Sequence, residues 1–146
     1  WFKLQGVFPA VRMLGGSVGI AYVLQAIVIG LMVGYTYWLW RSEASHEQKS
    51  AGLILATVLS TPYAFNYDMV VLGPAIAFLV VDGLKRGFSP FERTMLAALW
   101  LVPLVSRELT ALTHVPIALL VQATLLIQLT AKIRRVSMPV GGLVHV

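Results

Sequence analysis

Between Lys49 and Asp82 the chain carries one charged residue, Asp68, in 32 residues running from Ser50 to Val81. It stands in T-P-Y-A-F-N-Y-D-M-V-V-L-G-P, two phenols, Tyr63 and Tyr67, ahead of it. An aspartate at the centre of a bilayer costs about 2.5–3.5 kcal/mol, so one in so apolar a setting is expected to face a cavity, a partner or the membrane surface. Two roles fit. As a helix cap, its carboxylate accepts from orphan backbone amides; alternatively it faces a lipid-accessible cavity at the outer leaflet, and a cap can also line such a site. Tyr63 and Tyr67 are either interface anchors or hydroxyl donors to a headgroup. Upstream, Arg12 in F-P-A-V-R-M-L-G-G either flanks the first helix or binds phosphate, since a planar guanidinium donates two parallel hydrogen bonds. Arg107, Glu108 and His114 read as a polar connection with an internal ion pair.

Composition says what must carry these residues. With 58% hydrophobic and 12% charged residues, and a mean hydropathy of +0.82, the chain is too apolar for an ordinary globular domain, where about a quarter of residues are charged. It is expected to be an integral membrane protein. The uncharged run Met13 to Trp40 has 28 residues, more than the roughly 20 that cross a hydrocarbon core and far beyond the h-region of a signal peptide. The net charge of +5 and pI near 9.9 do not point to nucleic acid, because the basic residues sit between apolar runs. Without cysteine, thiolate chemistry and disulfides are excluded, and His46, His114 and His145 are scattered singly with no ligand spacing, so no metal site made by this chain alone is expected. No cofactor is implied. The chain opens on Trp1 and is read as a single membrane domain, 1–146, from the C-terminal part of a longer protein.

Hydropathy predicts an all-α, polytopic helix bundle of five spans, at about 14–40, 50–66, 68–84, 91–107 and 115–132. Ser50 to Val81 is too long for one crossing and is expected to fold back within T-P-Y-A-F-N-Y-D, where Pro62 disfavours helix in the residue before it. S-P-F-E at Ser89 to Glu92 reads as a capping box with Ser89 as N-cap and Pro90 at the first helical position. Pro74 and Pro103 predict kinks beside cavities. The G-x-x-x-G pairs Gly15/Gly19 and Gly30/Gly34 predict close helix packing inside the protein. With these spans, eight of the eleven Lys and Arg fall on one side, which the positive-inside rule places in the cytoplasm. The Asp68 turn, Arg12 and Arg107 then face outward from the cytoplasmic membrane. The cluster Tyr35, Tyr37, Trp38, Trp40, Arg41 marks the inner interface.

T-P-Y-A-F-N-Y-D-M-V-V-L-G-P-A resembles the C-terminal half of glycosyltransferase family 87, polytopic enzymes of the GT-C type that include polyprenyl-phosphate-mannose-dependent mannosyltransferases. V-F-P-A-V-R-M-L-G-G is similar to a stretch of bacterial members. The resemblance covers about two dozen residues. It implies transfer of a hexosyl or mannosyl group from a polyprenyl-phosphate sugar at the outer face, with Arg12, Tyr63, Tyr67 and Asp68 as donor or acceptor contacts. It also implies a general base in a first outer loop that has no matching position here, so that the chain is not catalytic alone. In actinobacterial members the turn resembles S-P-x-S-W-x-H-H, and Tyr67 and Asp68 fall at or near those histidines. An anionic Asp68 would repel phosphate; it is expected instead to orient Arg12 or to meet an acceptor's hydroxyls. Half of a secondary transporter, with a broken-helix site at Asp68, is the alternative from another class. A purely structural bundle is the third. Neither sugar, acceptor nor oligomeric state follows from these residues.

Overall fold

The computed structural model describes residues 6–63, 70–113 and 117–137. Six helices occupy them: α1 (Val7–Met13), α2 (Val18–Arg41), α3 (His46–Ser60), α4 (Leu72–Arg86), α5 (Glu92–Thr113) and α6 (Ile117–Ser137). The fold class is all-α, and among the described residues there is no strand.

Contacts between helix ends give the topology. Gln25, early in α2, meets Leu59 and Ser60 at the end of α3, while Lys49 near the start of α3 reaches the Trp40 carbonyl. Asp82, late in α4, meets Ser45 and Gln48 ahead of and in the first turn of α3. Lys132, late in α6, meets Glu92 at the start of α5. Helices α2 to α6 therefore alternate in direction. One end of the bundle collects Arg41, Lys49, Lys85, Arg86, Arg93, Lys132, Arg134 and Arg135 with the acids Glu43, Glu47, Asp82 and Glu92. The other end holds Arg12, Tyr22 and Tyr63.

Helix α3 is the central element, packed on α2, α4 and α6. Its Ala51, Leu55, Val58 and Leu59 join Leu72, Ala75 and Leu79 of α4, Leu99 of α5 and Leu125, Leu129 and Ile133 of α6 in one buried cluster. Its start is a full capping box. Ser45 Oγ accepts from the Gln48 amide, and the Gln48 side chain accepts from the Ser45 amide.

Two helices, α2 and α6, are long and apolar enough to cross a membrane. In the most apolar window of α2 only 11% of residues are buried within the chain, at a hydropathy of 2.0. A helix that is apolar all round and uncovered belongs in lipid or against another protein, not in water. The five expected spans are not all matched. Helices α3 and α4 have 15 residues each, about 22 Å of rise against a core of about 30 Å.

Several boundaries differ from the sequence reading. The first uncharged run is preceded by a separate short helix, α1, and interrupted at Gly15, whose φ of +83° is left-handed and suits glycine. Gly15 therefore lies outside α2, and Gly15/Gly19 is not a helical pair. Helix α5 begins at Glu92, not Pro90, because Phe91 takes a φ of +63°; the Ser89 amide still donates to the Glu92 carboxylate, which is half of the expected box. The α5 backbone runs on to Thr113, so Arg107 and Glu108 are helical and not in a connection, there being no Pro or Gly between Leu104 and Thr113 to stop it. His114 lies outside the described residues. Pro74 is the third residue of α4, where its missing amide costs no helical hydrogen bond. Pro103, inside α5, lines a 230 Å³ groove with Leu72, Gly73, Ile76, Leu99 and Trp100.

The G-x-x-x-G pair Gly30/Gly34 does not pack against the described chain as expected. A Cβ on Gly30 or Gly34 would meet nothing within 4 Å, so that face of α2 packs on no other part of the chain described here. The close approach is made instead by Gly52 on α3, where a Cβ would stand 2.6 Å from Leu39 Cδ2 and 3.1 Å from Tyr35 Oη. Gly52→Leu is expected to lower stability in detergent by about 1–3 kcal/mol through overpacking. Gly30→Leu and Gly34→Leu should leave unfolding unchanged; equal losses at all three positions would contradict this packing.

Candidate functional site

The sequence-derived site residues divide between described and undescribed parts of the chain. Tyr67 and Asp68 lie outside the described residues, as does the rest of 64–69. Arg12 and Tyr63 are described, and the fold brings their neighbourhoods together at the end of the bundle opposite the charges.

Helix α1 is the element that does so. Pro9 sits in its first turn, and Arg12 in its last, where a cation is favoured by the helix dipole. Arg12 is thus helical and not a loop residue. Its Nη1 donates to the Gly16 carbonyl at 2.8 Å, and the Gly16 amide donates to Val11, so the guanidinium is tied to the α1–α2 turn. A Cβ on Gly16 would stand 2.5 Å from Val11 Cγ1, which keeps that turn tight. One turn N-terminal to Arg12, on the same helix face, Phe8 is buried between Tyr22, at 4.8 Å between ring centroids, and Tyr63, at 5.2 Å. The Tyr22 and Tyr63 hydroxyls share a hydrogen bond of 2.7 Å at the exposed rim. These phenols are paired with each other, and each still has lone pairs to offer a third group.

Gln25 holds this corner closed. Its Oε1 accepts from the Phe8 amide at 3.2 Å and its Nε2 donates to the Ser60 carbonyl at 2.9 Å. A Cβ on Gly6 would lie 3.2 Å from the Thr61 carbonyl oxygen and 3.3 Å from that of Pro62, so the start of α1 abuts the end of α3 directly. V-F-P-A-V-R and the opening of T-P-Y-A-F-N-Y-D, some fifty residues apart, are therefore neighbours.

An open groove of about 520 Å³ runs between α2 and α3 from this corner toward mid-bundle, lined by Ile29, Met32 and Val33 against Ala56, Thr57 and Ser60, and reaching Pro62. Its hydroxyls look polar in sequence. In the fold Thr36, Thr57, Ser60 and Thr61 each donate to the carbonyl four residues back, so the groove offers mainly carbon to an occupant. The groove can hold an apolar chain, and it ends at Pro62, next in the chain to the paired phenol Tyr63.

A second polar group, at the charged end, was not anticipated. Asp82 is fully buried and accepts from Ser45 Oγ at 2.9 Å, Gln48 Nε2 at 3.1 Å and Lys132 Nζ at 2.9 Å, with Arg86 Nε at 3.5 Å. Lys132 also donates to both carboxylate oxygens of the buried Glu92 at 3.1 Å. Beside it Lys85 bonds Glu47 at 2.6 Å, and that bond brings the Glu47 carboxyl down from 4.5 to about 2. The cluster joins α3, α4, α5 and α6. In sequence Asp82 reads only as the charge that ends an apolar run; the Ser45–Gln48 capping spacing was the signal available, and it marks a helix start without naming its partner.

Compared with known protein families, with characterised proteins and with solved structures, the chain matches none.

Proposed function

We propose that the chain is part of a polytopic membrane glycosyltransferase that moves a hexosyl group, of the mannosyl class, from a polyprenyl-phosphate donor at the outer face of the cytoplasmic membrane. The observation that carries this reading is the contact of Phe8 with Tyr63, which joins the two stretches on which the family resemblance rests. The groove between α2 and α3 supports it, because it reaches Pro62, next to Tyr63 in the chain, and its satisfied hydroxyls leave mainly carbon for an isoprenoid chain. In this reading Arg12 holds the donor phosphate, Tyr63 and Tyr67 contact the donor headgroup or the acceptor, and Asp68 orients Arg12 or accepts from sugar hydroxyls. The charged end then faces the cytoplasm, and α3, α4 and α5 cross the membrane with α2 and α6, the 15-residue α3 and α4 by local thinning of the bilayer.

The test uses the full-length protein in membranes at matched expression. Arg12→Lys is expected to lose most transfer, since a point-charge ammonium does not replace a two-pronged contact. Asp68→Asn is expected to lower transfer tenfold or more, about 1.4 kcal/mol of transition-state stabilisation. Because Asn caps a helix about as well as Asp, a cap alone predicts no change. Unchanged transfer in both variants would make the residues structural and sink the assignment.

A further inference from the structure

The charged end sorts its ions. Of its four acids, Glu47 pairs with Lys85, and Asp82 and Glu92 close on Lys132 and Arg86 inside the bundle. Among the described residues no carboxylate pairs with Arg41, Lys49 or Arg134. These three come from three helices, α2, α3 and α6, and all are anchored to one segment, Tyr37 to Trp40 in the last turn of α2. Arg41 Nη1 donates to Tyr37 Oη at 2.8 Å and lies 5.6 Å over that ring. Lys49 Nζ donates to the Trp40 carbonyl at 3.3 Å. Arg134 lies 5.6 Å over the Trp38 ring.

We infer that this end of α2 binds the headgroup phosphate of an anionic phospholipid, with Arg41, Lys49 and Arg134 as its donors and the exposed flank of α2 against its acyl chains. Guanidinium and ammonium donors at the depth of an aromatic girdle meet the phosphate level of a leaflet, where each basic residue is attracted to anionic lipid. Level with them Tyr37 and Trp40 are exposed, and further along α2 so are Leu31 and Val33, so a chain hanging from the headgroup finds apolar surface. Neutralising the α2 dipole explains why Lys49 seeks a terminal carbonyl. It does not explain why Arg134 crosses from α6 to Trp38. Glu43, exposed two residues beyond Arg41, borders the site and opposes an anion. The inference rests on the membrane reading of α2 and not on the transfer reaction.

The test is lipid binding by the protein in neutral detergent. Phosphatidylglycerol should raise the melting temperature saturably where phosphatidylcholine does not, and inorganic phosphate at equal concentration should not substitute. The triple variant Arg41→Gln, Lys49→Gln, Arg134→Gln is expected to lose at least tenfold in apparent affinity. Glu43→Gln should gain affinity, and Arg93→Gln, whose guanidinium stacks on Phe88 instead, should bind as the unaltered protein does. Should the triple variant not fold, tail-brominated phosphatidylglycerol on the unaltered protein gives the answer, by quenching tryptophan fluorescence more than brominated phosphatidylcholine does. Equal quenching by both lipids, or full affinity in the triple variant, overturns the inference. An equal shift from inorganic phosphate would make this a free-anion site and overturn the lipid assignment. Sugar transfer is read in none of these arms, so its failure leaves the lipid site standing. Release of the protein from membranes by carbonate would remove the shared premise of both.

Discussion

Lys132→Met is expected to destabilise the protein by about 3–5 kcal/mol, the cost of leaving buried carboxylates without their cation. Lys132 is the one ammonium shared by Asp82 and Glu92, and both acids are buried. Asp82 would keep Ser45, Gln48 and the more distant Arg86, and Glu92 would keep the Ser89 amide, so the loss should fall on the interface of α6 with α4 and α5. The coupled nature of the cluster gives the decisive comparison. Adding Asp82→Asn and Glu92→Gln to Lys132→Met removes the uncompensated charge and should recover most of the stability, whereas independent contacts would make the three losses add. Unfolding of the single and triple variants in detergent measures this. If Lys132→Met melts within a degree of the unaltered protein, the buried cluster does not hold the helices.

Gln25→Leu should loosen α1 from the bundle. One side chain here terminates two helices, since the Phe8 amide is an orphan donor of the first turn of α1 and the Ser60 carbonyl an orphan acceptor of the last turn of α3. Leucine fills similar space and satisfies neither. Each buried group left without a partner costs about 1–3 kcal/mol, and the loss falls on a helix of seven residues that owes its place to this corner. Amide exchange across Val7–Met13 is expected to accelerate while that of Leu55 and Leu59 stays slow. Gln25→Glu keeps the acceptor for Phe8 but sets a buried carboxylate against the Ser60 carbonyl oxygen, so it should loosen α1 at least as much as leucine does. If the glycosyltransferase reading is right, Gln25→Leu also lowers transfer, because Arg12 rides on the same helix. Unchanged exchange in α1 would mean that the Phe8 and Tyr22 rings hold it without the amide.

The sequence by itself determined the all-α class and the sorting of the charge along the helices. Fifty-eight per cent hydrophobic residues with 12% charged called for long apolar helices, of which α2 and α6 are long and apolar enough to cross a membrane, and the basic residues between apolar runs do gather at one end of the bundle. Pro62 correctly marked where the chain leaves α3, because its effect on the preceding residue is local. Of the site, Arg12 and Tyr63 were legible as chemistry on short motifs, yet their common corner was not, since it depends on Phe8 and Gln25, which look like ordinary members of apolar runs. What only the tertiary structure decided is which face of each helix meets which neighbour. Apolar helices lack the polar side that would orient them, so Gly30 and Gly34 looked like the packing pair while Gly52 is the one pressed on Leu39. Asp82 shows the same reason in its polar form. Its partners stand 34, 37 and 50 positions away, at Gln48, Ser45 and Lys132, and no local spacing connects them. They meet because antiparallel helices return to the same end of the bundle, and once there a buried charge is stable only where each of them has arrived.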